Sequence, residues 1–281
     1  MKVGMNMLLW TPSVGEEHHG IFADLKATGF DGAEIPIGEE NPDYYPALGK
    51  ILDDNGLART AVMALDEAHN PVSPDPKIRQ AAVERLAWGA EMCAALGADR
   101  IVGPIHSAYP VFTGKGPTED EKSWCVDVLR EASERSAAHG VTLAVEPLNR
   151  FECYMMNTAE QAAEIIRRID HPNCVMLYDT HHMHIEEKDI VTAISETADT
   201  IGHIHISEND RGTPGKGQVN WADSFSSLKK SGYDGWLVIE AFSRLDPEFA
   251  AMIHIWRDFF VDPAEVYTEG YAFIQRMWAE A

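Results

Sequence analysis

Eight apolar runs of strand character recur along the chain, and each is followed by a segment whose apolar residues have helical spacing. Strands that alternate with helices form a parallel sheet with right-handed crossovers. Eight such units without an internal linker favour a closed (β/α)8 barrel, and an open doubly wound sheet is the alternative fold. The predicted strands are Val3–Leu9, Gly32–Ile37, Ala58–Leu65, Arg100–His106, Thr142–Glu146, Val175–Asp179, His203–Ile206 and Trp236–Ile239.

The predicted helices are bounded by capping residues, most often a glycine at the end. The chain has 281 residues, which suits one α/β barrel of ~250 residues. We therefore predict an α/β fold with a single domain over residues 1–281, a TIM barrel with an extra C-terminal helix. The helices are expected at Phe22–Thr28, Tyr45–Asn55, Ile78–Leu96, Glu119–His139, Thr158–Ile169, Asp189–Ala198, Trp221–Ser231, Glu248–Phe260 and after Pro263.

Charge and composition exclude several classes of binding partner and of site. The formal net charge of -22 would repel a phosphate backbone, so no nucleic acid partner is expected. No stretch approaches the ~20 apolar residues of a membrane span, and the N-terminal MKVGMNMLLW reads as a first strand, not as a signal peptide. The four cysteines form no thiolate metal motif, and reduced thiols in a cytoplasmic protein are expected.

Four of the predicted strands carry a potential metal ligand at or near the end: Glu146, Asp179, His205 and Glu240. The spacings are 179−146 = 33, 205−179 = 26 and 240−205 = 35 residues, each about one strand–helix unit. Successive strand ends meet at one rim of a closed barrel, where active sites of this fold are built. Each residue alone is explained by a solvated carboxylate or a core histidine, but four in register predict one site. Oxygen ligands with one imidazole suit Mn²⁺, Mg²⁺ or Co²⁺.

A second layer of polar and aromatic residues is expected around these four. Glu152, His182 and Arg211 follow three of the predicted ligands by a few residues, so they should lie in the loops above the rim. Their side chains can hydrogen-bond to a polyol. His181 and His184 flank His182, and the sequence does not separate a ligand role from a supporting or an exposed one. Apolar walls could come from Trp10, Tyr109, Phe112 and Phe242, for which ordinary packing is the alternative.

Several motifs resemble those of the ketose 3-epimerases, the D-tagatose, D-psicose (allulose) and L-ribulose 3-epimerase group within the xylose isomerase-like TIM barrel superfamily. They span most of the chain, and EPLNRFE with D-T-x-H-M-x-I-E-E is the most specific pair. Ala241 and His181 stand where the group often has proline and phenylalanine, so the resemblance does not identify the ketose. The matching stretches are Ser73–Ala82, Ile101–Ser107, Glu146–Glu152, Asp179–Glu187, His205–Trp221 and Ile239–Phe242.

The resemblance implies an isomerase that acts on free ketoses and depends on a divalent metal, Mn²⁺ above all. It implies that Glu146, Asp179, His205 and Glu240 bind the metal and that Glu146 and Glu240 also transfer protons. It implies that Glu152, His182 and Arg211 hold the O1–O3 end of the sugar. From the aromatic residues we predict Trp10, Tyr109 and Phe242 as further substrate contacts. It also suggests a homodimer or homotetramer.

Epimerisation at C3 requires one base on each face of a cis-enediolate, and two glutamates can serve as this acid/base pair. No organic cofactor is needed. The nearest alternative is an aldose–ketose or hydroxypyruvate-type isomerase with the same metal site. A metal-dependent apurinic-site endonuclease would need more histidines and a basic groove. A sugar-binding protein without catalysis would not need both candidate bases.

Overall fold

The computed structural model describes all 281 residues and contains a closed barrel of eight parallel strands in chain order. Pairing of β1 with both β2 and β8 closes the barrel. The predicted (β/α)8 fold is therefore confirmed. The strands are β1 Lys2–Asn6, β2 Gly32–Pro36, β3 Ala58–Val62, β4 Arg100–Gly103, β5 Thr142–Val145, β6 Cys174–Asp179, β7 Ile201–Ile206 and β8 Trp236–Ile239.

Helices surround the barrel, and side-chain caps start most of them. Thr118 and Thr158 form reciprocal capping boxes at α4 and α5, which satisfies amide donors that a helix start leaves free. None of the helices combines the length and apolar character that crossing a membrane requires. They are α1 His19–Thr28, α2 Tyr44–Asp54, α3 Pro76–Leu96, α4 Glu119–Ala137, α5 Ala159–Ile169, α6 Thr180–Glu186, α7 Ile190–Thr197, α8 Trp221–Lys230, α9 Pro247–Met252 and α10 Pro263–Glu280.

The interior of the barrel contains an apolar cluster and a polar cluster. Because alternate residues of a strand share a face, Ala144 of β5 lies on the same face as Glu146, and Leu177 of β6 lies on the same face as Asp179. These two apolar residues form a small cluster with Val62 and Val102, separate from the main core between barrel and helices. A second group of buried residues, from β1, β2, β3 and β7, is polar: Asn6, Glu34, Thr60, His203 and His205.

Several element ends differ from the sequence-based expectations. β1 stops at Asn6, whose side chain accepts the amide of Leu8 and starts a 3-10 turn over Met7–Leu9. The predicted helix Glu248–Phe260 is wrong beyond Met252, because His254 adopts a positive φ of 62° that ends the helical path. α6 was not predicted.

Candidate active site

The four predicted ligands come together at the carboxyl ends of β5 to β8. One potential ligand atom from each of them lies within 4.8 Å of the others. Nδ1 of His205 is 3.3 Å from Oε1 of Glu240, 3.7 Å from Oδ2 of Asp179 and 3.9 Å from Oε1 of Glu146. All four residues are buried, so the convergence is not a cluster of solvated surface acids.

Local backbone structure fixes each of these side chains. Glu146 and Glu240 directly follow β5 and β8, and their amides donate to the carbonyls of Gly103 and Ile206 on neighbouring strands at 3.0 and 3.2 Å. Asp179 caps the N-terminus of α6, because its Oδ1 accepts the amides of His181 and His182. Its other oxygen, Oδ2, is left to face the shared centre.

The surroundings of the carboxyl groups push their pKa values in different directions. Burial raises the pKa of Glu146 well above its usual range, and the charge of Glu240 adds to that rise. Burial also raises the pKa of Asp179, to about 6, against the opposing effect of Arg211. For Glu240, burial is outweighed by His205 and Arg211, which hold its pKa below the usual range.

This donor set fits a divalent cation. Nδ1 of His205 and Oε1 of Glu146 are buried and make no hydrogen bond with any protein group. Buried polar atoms in native proteins nearly always have a partner, and a cation at the shared centre would supply one to both. Three carboxylates with one imidazole suit Mn²⁺, Mg²⁺ or Co²⁺, and such a charge would offset the repulsion among the carboxylates.

His182 and Arg211 lie next to each other beside the four-residue centre. The backbone amide of Asn149 donates to Nδ1 of His182 at 3.0 Å, so the proton of a neutral His182 sits on Nε2. Burial, reinforced by the charge of Arg211, lowers the pKa of His182 well below its usual range and keeps the ring neutral. Nη2 of Arg211 lies 2.9 Å from this Nε2. Both residues line the cavity, where each can donate to an oxygen of a bound ligand.

The loop after β7 holds Arg211 in place through the buried carboxylate of Glu208. This carboxylate accepts five N–H groups, four from the loop and one from Trp221 at the start of α8. The carbonyl of Glu208 accepts the amide of Arg211 at 3.0 Å. Arg211 itself has a positive φ of 65°, and its Nη1 donates to Oε2 of Glu240 at 2.9 Å and to Oγ of Ser207 at 3.0 Å. The five donors to Glu208 are the amides of Asn209, Gly215, Gln218 and Val219 and the indole N–H of Trp221.

A cavity of about 530 Å³ opens above the centre, and the predicted outer residues divide between its wall and other places. Glu152 lies in the wall and accepts the side-chain amide of Asn149 at 2.7 Å. Trp10 lies outside the cavity, packed beside Tyr267, so its role as a substrate contact stays a prediction. Phe112 also lies outside and is 50% exposed. The other wall residues from the prediction are Tyr109, His182, Arg211 and Phe242.

The two flanking histidines have different places. His181 lines the cavity, and its Nδ1 is 3.0 Å from the carbonyl oxygen of Glu208. With Glu152 and His182 it forms a second group of potential ligands, next to the positive charge of Arg211. His184 takes part in neither group.

Sequence reasoning missed Asn6, Glu34, Asn149 and Glu208. Glu34 had a signal, because a charged residue inside the apolar run GAEIPI is costly unless it is paired. Asn149 and Glu208 lie within the motif stretches Glu146–Glu152 and His205–Trp221, but sequence spacing alone does not show which backbone or side-chain groups they contact.

Comparison with known proteins supplies a family context for this geometry. Residues 22–277 match the family described as xylose isomerase-like TIM barrel. The chain is 32% identical to a ketose 3-epimerase of Arthrobacter globiformis over 98% of its length and 96% of that protein. It is 31% identical to a D-psicose 3-epimerase of Ruminiclostridium cellulolyticum, over 92% of this chain and 89% of that protein. A structure of D-allulose 3-epimerase from Methylomonas sp. in complex with D-allulose superposes with a TM-score of 0.92 at 26% identity, covering 99% of this chain and 97% of that one.

Proposed function

Because the chain belongs to the ketose 3-epimerases of the xylose isomerase-like TIM barrel family, which are carbohydrate isomerases, we propose that it interconverts free ketoses that differ in configuration at C3. The observation that carries this proposal is the meeting of Glu146, Asp179, His205 and Glu240 within 4.8 Å beneath one cavity. The substrate is a small ketose, the class of molecule that the names of the relatives describe.

Glu146 and Glu240 act as the acid/base pair. They come from β5 and β8, with β6 and β7 between them, so they approach a sugar in the cavity from different sides. One carboxylate removes the C3 proton, and the other, protonated, returns a proton to the opposite face. The roles exchange when the substrate has the other configuration, which makes the reaction reversible through one cis-enediolate.

Arg211 and His182 bind the oxygen on which negative charge develops. Both side chains line the cavity, with Nη2 of Arg211 2.9 Å from Nε2 of His182, and each would donate an N–H to the carbonyl oxygen of the ketose. Donors fixed before the reaction stabilise the enediolate without reorganisation at the moment of proton transfer. Glu152, held by Asn149, would accept from a neighbouring hydroxyl group at the same end of the sugar.

A divalent cation bound by Glu146, Asp179, His205 and Glu240 would add positive charge where the enediolate forms. We propose Mn²⁺ as that ion, with Mg²⁺ or Co²⁺ as substitutes. A homodimer or homotetramer in the cytoplasm and a single domain over residues 1–281 complete the proposal.

A panel of ketopentoses and ketohexoses of both configurations, incubated with the protein and Mn²⁺ and analysed by chromatography, tests this function. We expect C3 epimers as products, and reversible loss of activity when EDTA removes the metal. Aldose products would instead favour the aldose–ketose isomerase. Metal binding without turnover of any ketose would favour a sugar-binding protein, and full activity after complete metal removal would refute the metal-dependent mechanism.

A further inference from the structure

Glu34 lies at the centre of a buried polar cluster beneath the four candidate ligands. It sits on β2, and its neighbours come from β1, β3 and β7, so three of the four strands involved supply no candidate ligand. Glu34, Asn6, Thr60, His203 and His205 are each at most 1% exposed. The proposed proton transfer gives Glu34 no role, and a buried carboxylate is costly unless its surroundings compensate for it.

Donors surround both oxygens of Glu34. Oε1 is 2.7 Å from Nε2 of His205 and accepts Nδ2 of Asn6 at 3.0 Å. Oε2 accepts the hydroxyl of Thr60 at 2.7 Å, and Nε2 of His203 lies 3.1 Å away without a hydrogen bond. Each oxygen of Glu34 therefore has a donor of its own, Asn6 on Oε1 and Thr60 on Oε2, and such an environment favours the carboxylate form. An ionised acceptor at 2.7 Å holds a proton on Nε2 of His205.

That proton decides which nitrogen of His205 can bind a metal. With Nε2 protonated, the lone pair of a neutral ring is on Nδ1, the buried atom without a hydrogen-bond partner that faces Glu146, Asp179 and Glu240. We propose that Glu34 is a positioning residue, which fixes the tautomer and the ring orientation of His205 so that Nδ1 is presented to the divalent cation. This inference rests on the metal site in the proposed function.

Asn6 joins Glu34 to a second candidate ligand. The amide of Leu8 donates to Oδ1 of Asn6 at 2.9 Å, which fixes the amide group and turns Nδ2 toward the carboxylates. Nδ2 then lies 3.0 Å from Oε1 of Glu34 and 3.3 Å from Oε1 of Glu240. The first two strands of the barrel therefore set the geometry of ligands that the last two strands supply.

The inference is tested by titrating Mn²⁺ into the chelator-treated, full-length protein and following binding by calorimetry. Glu34→Gln keeps the size of the side chain but removes the charge of the acceptor. We expect the dissociation constant for Mn²⁺ to rise by about 10–100-fold, the usual effect of losing the partner of a metal-binding histidine. At saturating Mn²⁺, kcat should stay within about tenfold of wild type, because Glu34 does not touch the substrate. The visible spectrum of the Co²⁺-loaded variant should also change.

A matched control and a milder variant accompany this measurement. Glu121→Gln alters another buried carboxylate, on α4, where glutamine also completes a capping box, so Mn²⁺ binding should be unchanged. Thr60→Val removes one donor to Glu34 and should weaken binding in the same direction by less than about tenfold. This isosteric change keeps the inference testable if Glu34→Gln does not fold.

Two results separate failure of the inference from failure of the proposed function. If wild type binds Mn²⁺ and His205→Ala weakens binding, while Glu34→Gln and Thr60→Val leave it unchanged, the role of Glu34 is overturned and the metal site stands. If wild type binds no divalent cation, or His205→Ala does not weaken binding, the proposed metal site and the role of Glu34 are overturned together.

Discussion

Glu146 and Glu240 carry the same carboxyl group in different surroundings. Oε2 of Glu240 accepts from Arg211 at 2.9 Å and Oε1 from Asn6 at 3.3 Å, whereas Oε1 of Glu146 is buried without a hydrogen-bond partner. Pairs of carboxyl groups whose environments separate their pKa values are suited to opposite acid and base roles. The asymmetry supports a pair in which one member begins protonated and the other ionised.

Replacing either glutamate should nearly abolish epimerisation, while the other glutamate should still exchange the C3 proton on its own face of the sugar. For Glu146→Gln and Glu240→Gln at saturating Mn²⁺, we expect turnover to fall by about 10²–10⁴-fold, because each variant lacks the group that acts on one face. In D₂O the remaining carboxylate should still exchange the C3 proton of the epimer that it can reach. Deuterium incorporation, followed by NMR, should therefore continue without formation of the other epimer.

Glu121→Gln serves as the control for this pair, since it changes a buried glutamate on α4 that does not line the cavity. Circular dichroism should show the same fold in all three variants. Turnover above about a tenth of wild type in either Glu146→Gln or Glu240→Gln would show that the residue is not one of the two bases.

At the residue scale, the sequence was informative where a polar residue follows an apolar run. Glu146, Asp179 and Glu240 have this pattern, and barrel closure then brings them together. The residues that orient them were harder to predict. Asn6 donates a hydrogen bond to Glu240, which is 234 positions away in the chain. No local sequence pattern predicts that contact. The substrate contacts Glu152, His182 and Arg211 remain predictions, although they stand beside the proposed centre.

At the scale of elements, the end of β4 controls the start of the loop that carries Glu146. Gly103 has a φ of 127°, which side chains rarely adopt, and an added Cβ would lie 2.4 Å from the carbonyl oxygen of Met63. The carbonyl of Gly103 accepts the amide of Glu146 at 3.0 Å and the amide of Ile105 at 2.8 Å. Backbone geometry at this glycine therefore helps to place a proposed catalytic residue.

We expect Gly103→Ala to lower the free energy of unfolding by at least about 1–2 kcal/mol through backbone strain alone, with the close approach to Met63 adding to it. Activity should fall as well, because Glu146 follows the displaced carbonyl. Gly20→Ala is the matched control: Gly20 lies in α1, and nothing would touch its added Cβ. It should stabilise the protein by about 0.5–1 kcal/mol. Urea unfolding of both variants gives the comparison, and equal effects would contradict the role of Gly103.

Periodic segments could be predicted at this scale, and segments shaped by side-chain contacts could not. All eight strands and most barrel helices follow from apolar spacing. α6 begins because Asp179 caps it, so the residue predicted as a ligand also starts an unpredicted helix. The pattern over Glu248–Phe260 looks helical throughout, but α9 ends at Met252 and the chain turns at His254. Beyond the helix, Ile255 and Phe259 line the cavity.

At the scale of the whole molecule, the barrel places three carboxylates of one centre in its interior in a protein whose net charge is already -22. Like charges in a buried site destabilise the folded state. A cation that binds only the folded protein adds about 2.7 kcal/mol of stability at a concentration 100 times its dissociation constant. Metal should therefore stabilise the entire fold and not only the loops around the site.

Chelator-treated protein should accordingly melt about 5–10 °C below the Mn²⁺-loaded protein, since about 2–4 °C of melting temperature corresponds to 1 kcal/mol in a chain of comparable length. Adding Mn²⁺ back should restore the higher value in thermal scans. Mn²⁺ should raise the melting temperature and not lower it, because it binds the folded protein only. In an unfolded chain these four residues are too far apart to bind one ion.

Asp179→Asn is the control that ties this shift to the proposed centre. Asparagine caps helices about as well as aspartate, so α6 should keep its N-terminal cap through the side-chain oxygen while the centre loses one negative charge. We expect this variant to keep its fold but to show a smaller Mn²⁺-dependent rise in melting temperature than wild type. An identical rise would show that the stabilising ion binds elsewhere on the acidic surface. No rise in wild type would contradict the proposal that a cation offsets the repulsion among these buried carboxylates.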